Sequence, residues 1–121
     1  STSDSPIFDS LVNEPSIQLI KGVQEGACVA MADGYARASG KLGCVIVANV
    51  GLPNAVAQMV NSYKDQIPIL VAASSVSQDS LGRENFQEYE NIERVTQPMT
   101  KWHWQATSTA SMAETTNANS L

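Results

Sequence analysis

The sequence predicts an α/β fold, with a doubly wound parallel sheet that carries helices on both faces. Residues 43–48 and 69–73 are almost continuous apolar runs, as in parallel strands that are covered on both sides. Residues 16–23 are rich in β-branched side chains and predict a further strand ahead of them. Helical periodicity between these runs completes a strand–helix–strand–helix–strand series, for which right-handed crossovers and a parallel sheet are expected.

Each element in the first half of the chain has its own sequence signal. Residues 1–6 read as a loose leader, and residues 7–12 read as one or two helical turns ahead of the strand at 16–23. Residues 27–39 repeat with a period of about 3.6 and predict a helix, which Gly40 should end with a left-handed cap. We expect that helix to pack by its face of small residues, Ala27, Ala30, Met31 and Gly34.

The second half reads as a helix, a strand and a mainly polar end. A further helix is predicted before the strand at 69–73, because apolar residues recur at helical spacing there. Residues 85–95 are charged and predict a helix, and residues 100–106 predict a strand with both tryptophans on one face. Residues 107–121 are mostly Ser, Thr, Asn and Ala, and we expect a polar tail or a weak helix. The apolar stripe of the further helix is Val56, Met59, Val60 and Tyr63.

Composition argues against several classes of function. The 121 residues are enough for a single domain with one core. The net charge is −5 and the seven Lys and Arg residues are scattered, which argues against a nucleic-acid-binding face. No apolar run approaches the about 20 residues of a membrane span, and no signal peptide is visible, so we expect a cytoplasmic domain. Two Cys and one His are too few for a disulfide framework or a zinc site.

Ligand chemistry is expected at the carboxyl ends of the parallel strands. Glu25 begins a helix after a predicted strand. It is either a structural carboxylate beside the helix dipole or a partly buried carboxyl poised for proton transfer. Residues 51–54 open the next helix and form either a tight turn or a weak anion-binding loop. The glutamates of residues 84–93 have helical spacing and read as a solvated helix start. Three further residues read as structural, namely His103 and the two buried free thiols, Cys28 and Cys44.

One stretch is more specific than composition or periodicity. Residues 31–37 read Met-Ala-Asp-Gly-Tyr-Ala-Arg, with Gly40 and Lys41 after them and Glu25 before them. This pattern resembles the signature of the thiamine-diphosphate enzymes, which include acetolactate synthase, pyruvate oxidase, benzaldehyde lyase and benzoylformate decarboxylase. The likeness lies in their N-terminal, pyrimidine-binding domain, here residues 1–106. Further matches resemble the acetolactate-synthase branch, at Phe86-Gln87-Glu88 and Thr100-Lys101.

The resemblance implies a role for several residues. In this family the glutamate that matches Glu25 hydrogen-bonds the aminopyrimidine ring of the cofactor. It favours the imino tautomer, so that the ring can take the proton from the thiazolium carbon. Gly51 and Asn54 would belong to the loop beneath the pyrimidine, and Phe86 and Gln87 would face the substrate side. The implied activity is that of a lyase or transferase, a decarboxylase or carboligase, which acts on 2-oxo acids or aldehydes with thiamine diphosphate and Mg²⁺.

The chain also departs from the family. Asn49 and Val50 stand where the family commonly has Gly and Pro, beside the cofactor, which bears on the range of substrates. The family's first strand has no counterpart ahead of Ser1, so we expect a sheet truncated at its N-terminus, in a fragment or in one of a set of chains. The diphosphate-binding domain would be supplied by the same or another chain of a homo-oligomer, a dimer or tetramer. The isolated chain should be inactive.

Two alternatives stay open from the sequence. One is the pyrimidine-binding subunit of a split decarboxylase of the sulfopyruvate or phosphonopyruvate type, which a gene for a separate diphosphate-binding domain would favour. The other is a binding module that derives from the family and has no catalysis. The altered loop before Gly51 favours that module, and the presence of Glu25 argues against it.

Overall fold

A computed structural model describes residues 5–118 of the chain. The start of the predicted leader, residues 1–4, and the end of the tail, residues 119–121, lie outside the described residues. No helix within the described range combines the length and the hydropathy that crossing a membrane requires. The helices are α1 (Ser5–Leu11), α2 (Glu25–Ser39), α3 (Leu52–Lys64) and α4 (Thr109–Ala118), the strands are β1 (Gly43–Ala48) and β2 (Ile69–Ser74), and 3-10 segments lie at Asn49–Gly51, Gln78–Ser80 and Ile92–Met99.

The sheet is formed by β1 and β2, which pair in parallel from Gly43 opposite Ile69 to Ala48 opposite Ser74. α3 lies between them in the chain, so the unit is a strand–helix–strand crossover. The predicted α/β class with a parallel sheet is confirmed, and the two continuous apolar runs are its strands. Within residues 5–118 the sheet has these two strands.

The hydrophobic core lies between one face of this sheet and the helices α2 and α3. Alternate residues of β1, Val45 and Val47, are buried there. On the opposite face of β1, Cys44 is exposed and Ile46 is half-buried. We expected both faces of this strand to be covered, but in the described chain one face is buried more completely than the other. The helices contribute Val29 and Ala32 from α2, and Leu52, Ala55 and Met59 from α3.

Local residues explain where α2 begins and ends and where α3 begins. Gln24, in extended conformation, caps α2 by accepting a hydrogen bond at 2.8 Å from a backbone N–H of the first turn, and Gly40 ends the helix in the predicted left-handed conformation. Pro53 fits the first turn of α3, where its missing N–H is not needed. The first turn of α3 follows the carboxyl end of β1 directly. The first turn of α2 lies there too, because Glu25 contacts Gly51.

A partly buried ionic network joins α2 to the end of α3. Asp33 is 5% exposed and accepts hydrogen bonds from the guanidinium of Arg37, one helical turn away, and from Ser62 Oγ of α3 at 2.6 Å. Arg37 also donates to Asp65, just beyond α3, at 2.6 Å. The hydrogen bonds from Arg37 and then Ser62 lower the pKa of Asp33, so the carboxylate stays charged although it is buried. The acidic and basic residues of the signature segment therefore hold the fold together.

The strand predicted at residues 16–23 is wrong. This segment forms turns and irregular backbone outside the sheet, and its branched side chains face solvent, with Val23 99% exposed. Gly22 approaches Cys28 and Met31, so the segment runs beside α2. β-Branched residues favour a strand only where the segment pairs with another strand, and within residues 5–118 this segment lies beside α2 and pairs with neither β1 nor β2.

The face by which α2 packs also differs from the prediction. The predicted small-residue face is exposed, and the face about half a turn away is buried. Both faces carry apolar residues at helical spacing, so periodicity alone does not separate them. The buried face carries Val29, which packs in the core, and Asp33, which accepts a hydrogen bond from Ser62 of α3. The exposed set is Ala27, Ala30, Met31 and Gly34, and the buried set is Val29, Ala32, Asp33 and Ala36.

The region after β2 contains less regular structure than the sequence predicts. Residues 85–91 contain turns rather than a helix, and the 3-10 segment Ile92–Met99 follows. Residues 100–106 are not a strand, although Trp102 and Trp104 stack with ring centroids 6.4 Å apart. Side chains two residues apart lie on the same side of any extended backbone, so an alternating pattern does not require a sheet.

Candidate functional site

Three of the residues selected from the sequence meet at the carboxyl end of β1. Glu25 is the first residue of α2 and is half-buried, Gly51 ends the 3-10 turn that follows β1, and Asn54 lies in the first turn of α3. Asn54 Nδ2 donates a hydrogen bond to Glu25 Oε2 at 3.2 Å. Three separate segments of the chain are thereby brought to one carboxylate.

Gly51 allows the Glu25 carboxylate to lie against the backbone. A Cβ atom at position 51 would stand 2.6 Å from Glu25 Oε1 and 2.7 Å from Glu25 Cγ, well inside van der Waals contact. Any other residue at this position would push the Glu25 side chain away from Asn54. The turn and the carboxylate are therefore matched in shape.

The surroundings of Glu25 suit the recognition of a ring that presents N–H groups. The carboxylate lies at the start of α2, where the free backbone N–H groups and the helix dipole favour negative charge. One of its oxygens accepts from Asn54, and the half-buried group remains accessible to a ligand. An aminopyrimidine has the matching donors and a flat shape that suits a turn without a side chain at Gly51. The residues present fit the pyrimidine end of thiamine diphosphate.

Asn49 is the buried polar residue of this site, and the sequence marks it only as a departure from the family. It is 6% exposed. Its Oδ1 accepts a hydrogen bond from the Val50 N–H at 2.7 Å, and its Nδ2 donates to the Gln87 carbonyl at 2.9 Å. Asn49 therefore closes the turn that leads to Gly51 and joins it to the loop of Gln87. The available signal in the sequence is a polar residue directly after a buried strand.

The loop that carries Phe86 and Gln87 is held by Glu88. The Glu88 carboxylate accepts hydrogen bonds from the backbone N–H groups of Gly82 and, at 3.0 Å, of Asn85, and these bonds lower its pKa. Glu88 thus closes the loop on itself, and the predicted solvated helix start is wrong. Gln87 is joined to the site through its backbone carbonyl, whereas Phe86 is 89% exposed and is not enclosed by the described residues.

Cys28, Cys44 and His103 take no part in these contacts. Cys28 is half-buried, but Cys44 is exposed on the less covered face of β1, so the prediction of two buried thiols is wrong for Cys44. His103 is exposed, and its Nε2 lies 3.3 Å from Nε2 of Gln97 in a hydrogen bond. In the part of the chain that the structure describes, no group of three or more His, Cys, Asp or Glu residues is arranged to hold a metal ion.

The chain is similar to a protein family and to several known proteins. The model of the family described as "Thiamine pyrophosphate enzyme, N-terminal TPP binding domain" matches residues 1–94. The acetolactate synthase large subunit of Lactococcus lactis subsp. lactis is 37% identical over 106 residues, which cover 87% of this chain and 18% of that protein. The mitochondrial acetolactate synthase catalytic subunit of Aspergillus candidus is 37% identical over 99 residues, 81% of this chain and 14% of that protein. The large subunit of acetolactate synthase isozyme 3 from Escherichia coli is 34% identical over 96 residues, which cover 78% of this chain and 17% of that protein.

The chain therefore spans less than a fifth of the length of these relatives. The family match covers most of the chain and includes Glu25, Gly51, Asn54 and the loop of Phe86 and Gln87. The resemblance of the signature segment is confirmed, and the chain belongs to the thiamine pyrophosphate enzymes, as their N-terminal TPP-binding domain.

Proposed function

We propose that this chain is the pyrimidine-binding part of an acetolactate-synthase-like enzyme, in which Glu25 holds the aminopyrimidine of thiamine diphosphate. The observation that carries the proposal is the contact of Glu25 with Gly51 and Asn54 at the carboxyl end of β1. The names of the three relatives described above support the acetolactate-synthase branch. The proposed reaction joins or cleaves a carbon–carbon bond of a 2-oxo acid or aldehyde, as a transferase or lyase does.

Each residue of the site has a separate task in this proposal. Thiamine diphosphate, when bound, supplies the nucleophilic carbon for reactions of 2-oxo acids. Glu25 would accept a hydrogen bond from the protonated ring nitrogen of the aminopyrimidine and so favour the imino tautomer, whose exocyclic nitrogen can take up a proton. Asn54 holds the carboxylate from one side, and Gly51 leaves the space in which it lies. Phe86 and Gln87 belong to the substrate side.

The remaining parts of the proposed enzyme belong to another domain. Mg²⁺ binds oxygen ligands beside the phosphates that it neutralises, and we assign both groups to a diphosphate-binding domain of the same or another chain. The much greater length of the relatives leaves room for such a domain. A cytoplasmic homo-oligomer, a dimer or tetramer, completes the proposal.

The substitution Glu25→Gln, made in the assembly of this chain with its diphosphate-binding domain, tests the proposal. Turnover of pyruvate, the probe for a 2-oxo acid, should fall by at least about a hundredfold, the scale of losing an acid–base group. The melting temperature should change little, because glutamine keeps the shape and can still bond Asn54. Glu90→Gln, at an exposed glutamate, is the matched control and should keep full turnover.

Three results would contradict parts of this proposal. Normal turnover of the Glu25→Gln assembly would reduce Glu25 to a structural partner of the helix dipole. Tight binding of thiamine diphosphate without turnover would favour a non-catalytic binding module. Turnover of sulfopyruvate in place of pyruvate would favour the subunit of a split decarboxylase.

A further inference from the structure

Asn49 has its side-chain amide engaged at both ends. Its oxygen accepts from Val50 at 2.7 Å, and its nitrogen donates to the carbonyl of Gln87 at 2.9 Å, while the residue is only 6% exposed. A buried amide requires such partners, since it has lost its water. The bond to Gln87 joins positions that are 38 residues apart in the chain. It is therefore a tertiary contact and not part of a local turn.

The two joined segments carry the two sides of the proposed site. Asn49 begins the turn that ends at Gly51, whose backbone lies against the Glu25 side chain. Gln87 follows Phe86 and has a φ of 70°, a conformation that is unfavourable for residues other than glycine and persists where the surroundings impose it. The hydrogen bond from Asn49 thus reaches the loop at a residue with an imposed backbone conformation.

The shape of this loop and its placement have different causes. Glu88 sets the shape, because its carboxylate binds the backbone N–H groups of Gly82 and Asn85. Asn49 contributes to the placement, because it connects the loop to the carboxyl end of β1. Loss of the Asn49 amide should therefore shift the loop of Gln87 while the contact between Glu25 and Asn54 remains.

We propose that Asn49 is a positioning residue that sets the substrate side of the site by tying the loop of Phe86 and Gln87 to the turn of Gly51. The inference rests on the proposed function for its effect on catalysis. Asn49 acts through Gln87 and does not touch the reacting atoms. Loss of the Asn49 side chain should therefore weaken substrate binding more than it slows proton transfer at the cofactor.

Two substitutions, Asn49→Ala and Asn49→Asp, separate the two hydrogen bonds. Aspartate keeps an acceptor for Val50 but has no donor for Gln87. Asn61→Ala, at an exposed asparagine of α3, is the matched control. Trypsin cleavage after Arg83, followed by mass spectrometry on the chain itself, reports release of the loop. Cleavage should become at least about tenfold faster in both variants and stay unchanged in the control, since it follows the population of the open form.

Steady-state kinetics of the assembly with the diphosphate-binding domain test the role in substrate binding. The KM for pyruvate should rise by at least about tenfold in both variants, with kcat changed by less than about threefold. A loss confined to stability would instead lower the active fraction and leave KM unchanged. The variants are compared at a temperature at which circular dichroism shows each to be folded.

The outcomes distinguish this inference from the proposed function. Unchanged cleavage after Arg83 in the Asn49→Asp variant would overturn the tie between the two segments. An unchanged KM would overturn its role in substrate binding. If the unsubstituted assembly has no turnover, the proposed function fails together with the catalytic part of this inference, and cleavage after Arg83 still decides whether Asn49 holds the loop.

Discussion

The carboxylate of Glu25 and the missing side chain of Gly51 act as one unit. Gly51 has a φ of −85°, which any residue can adopt, so glycine is required there for space and not for backbone conformation. The space is filled by the Glu25 side chain, which then lies within hydrogen-bonding distance of Asn54. A change at either residue should therefore affect the same contact.

The substitution Gly51→Ala should remove the function of the site at little cost in stability. The new methyl group would displace the Glu25 side chain, whose flexible end can turn to solvent, so the free energy of unfolding should change by less than about 1 kcal/mol. Turnover of the assembly should fall by at least about a hundredfold, as expected for Glu25→Gln. Urea unfolding and steady-state turnover measure the two effects.

Gly34→Ala is the matched control for this substitution, because a Cβ at that position would meet no atom within 4 Å apart from the neighbouring backbone of α2 itself. It should raise the free energy of unfolding by about 0.5–1 kcal/mol, since glycine is costly inside a helix, and leave turnover unchanged. Full turnover of the Gly51→Ala assembly would contradict the shape match between Gly51 and Glu25.

At the scale of elements, α2 and α3 are joined by polar contacts at both of their ends. Glu25 and Asn54 meet where the helices begin, and Arg37 and Asp65 meet where they end. Between these ends the helices share the hydrophobic core with β1. The pair is thereby held in one register, and this register brings the first residue of α2 to the turn after β1.

The substitution Asp33→Asn should destabilise the chain at neutral pH by about 1.5–3 kcal/mol, the contribution of hydrogen bonds to a charged group. The hydrogen bonds from Arg37 and Ser62 lower the folded-state pKa of Asp33 below the unfolded value of about 3.9. A lowered folded-state pKa gives stability that is complete above the unfolded pKa and is lost as the pH falls through the folded pKa. The difference between the two proteins should therefore shrink below about pH 4.

Urea unfolding of both proteins near neutral pH and at about pH 3 measures this difference. Asp79→Asn, at an exposed aspartate after β2, is the matched control and should change the free energy of unfolding by less than about 0.5 kcal/mol. A difference that stays constant with pH would show that the two acceptor oxygens of Asp33, and not its charge, stabilise the pair of helices.

At the scale of the whole molecule, several large apolar side chains are exposed in the described part of the chain. Val23 is 99% exposed, Phe86 is 89% exposed and Trp104 is 66% exposed. Exposed apolar side chains mark a partner surface where they form a contiguous patch. In the proposed assembly, a second domain that closes the site would cover Phe86, the substrate-side residue among them.

The isolated chain should bind thiamine diphosphate no more tightly than roughly millimolar. Its contribution would be a ring contact and hydrogen bonds at Glu25, worth about 1–3 kcal/mol each, from which the cost of association is subtracted. Calorimetry with thiamine diphosphate and Mg²⁺ measures this affinity, and the assembly with the diphosphate-binding domain is the positive control. Mg²⁺-dependent micromolar binding by the isolated chain would contradict this division of the site.

The parts of the fold that depend on neighbours in the chain follow from the sequence. The apolar runs of β1 and β2, the helix between them and the cap at Gly40 are each determined by residues within a few positions. The signature segment places Glu25 at the start of a helix for the same reason. Gly51 and Asn54 follow from the resemblance, which also depends on residue order along the chain.

The parts that depend on distant residues were decided by the tertiary structure. Residues 16–23 have the composition of a strand, but in the described chain they lie beside α2 and pair with neither β1 nor β2. Two faces of α2 have the same apolar spacing, and the core together with the partners of Asp33 selects one. The bond from Asn49 to Gln87 joins positions 38 residues apart, and no local pattern records such a pairing. This hydrogen bond forms because the folded chain brings the buried amide of Asn49 next to the carbonyl of Gln87.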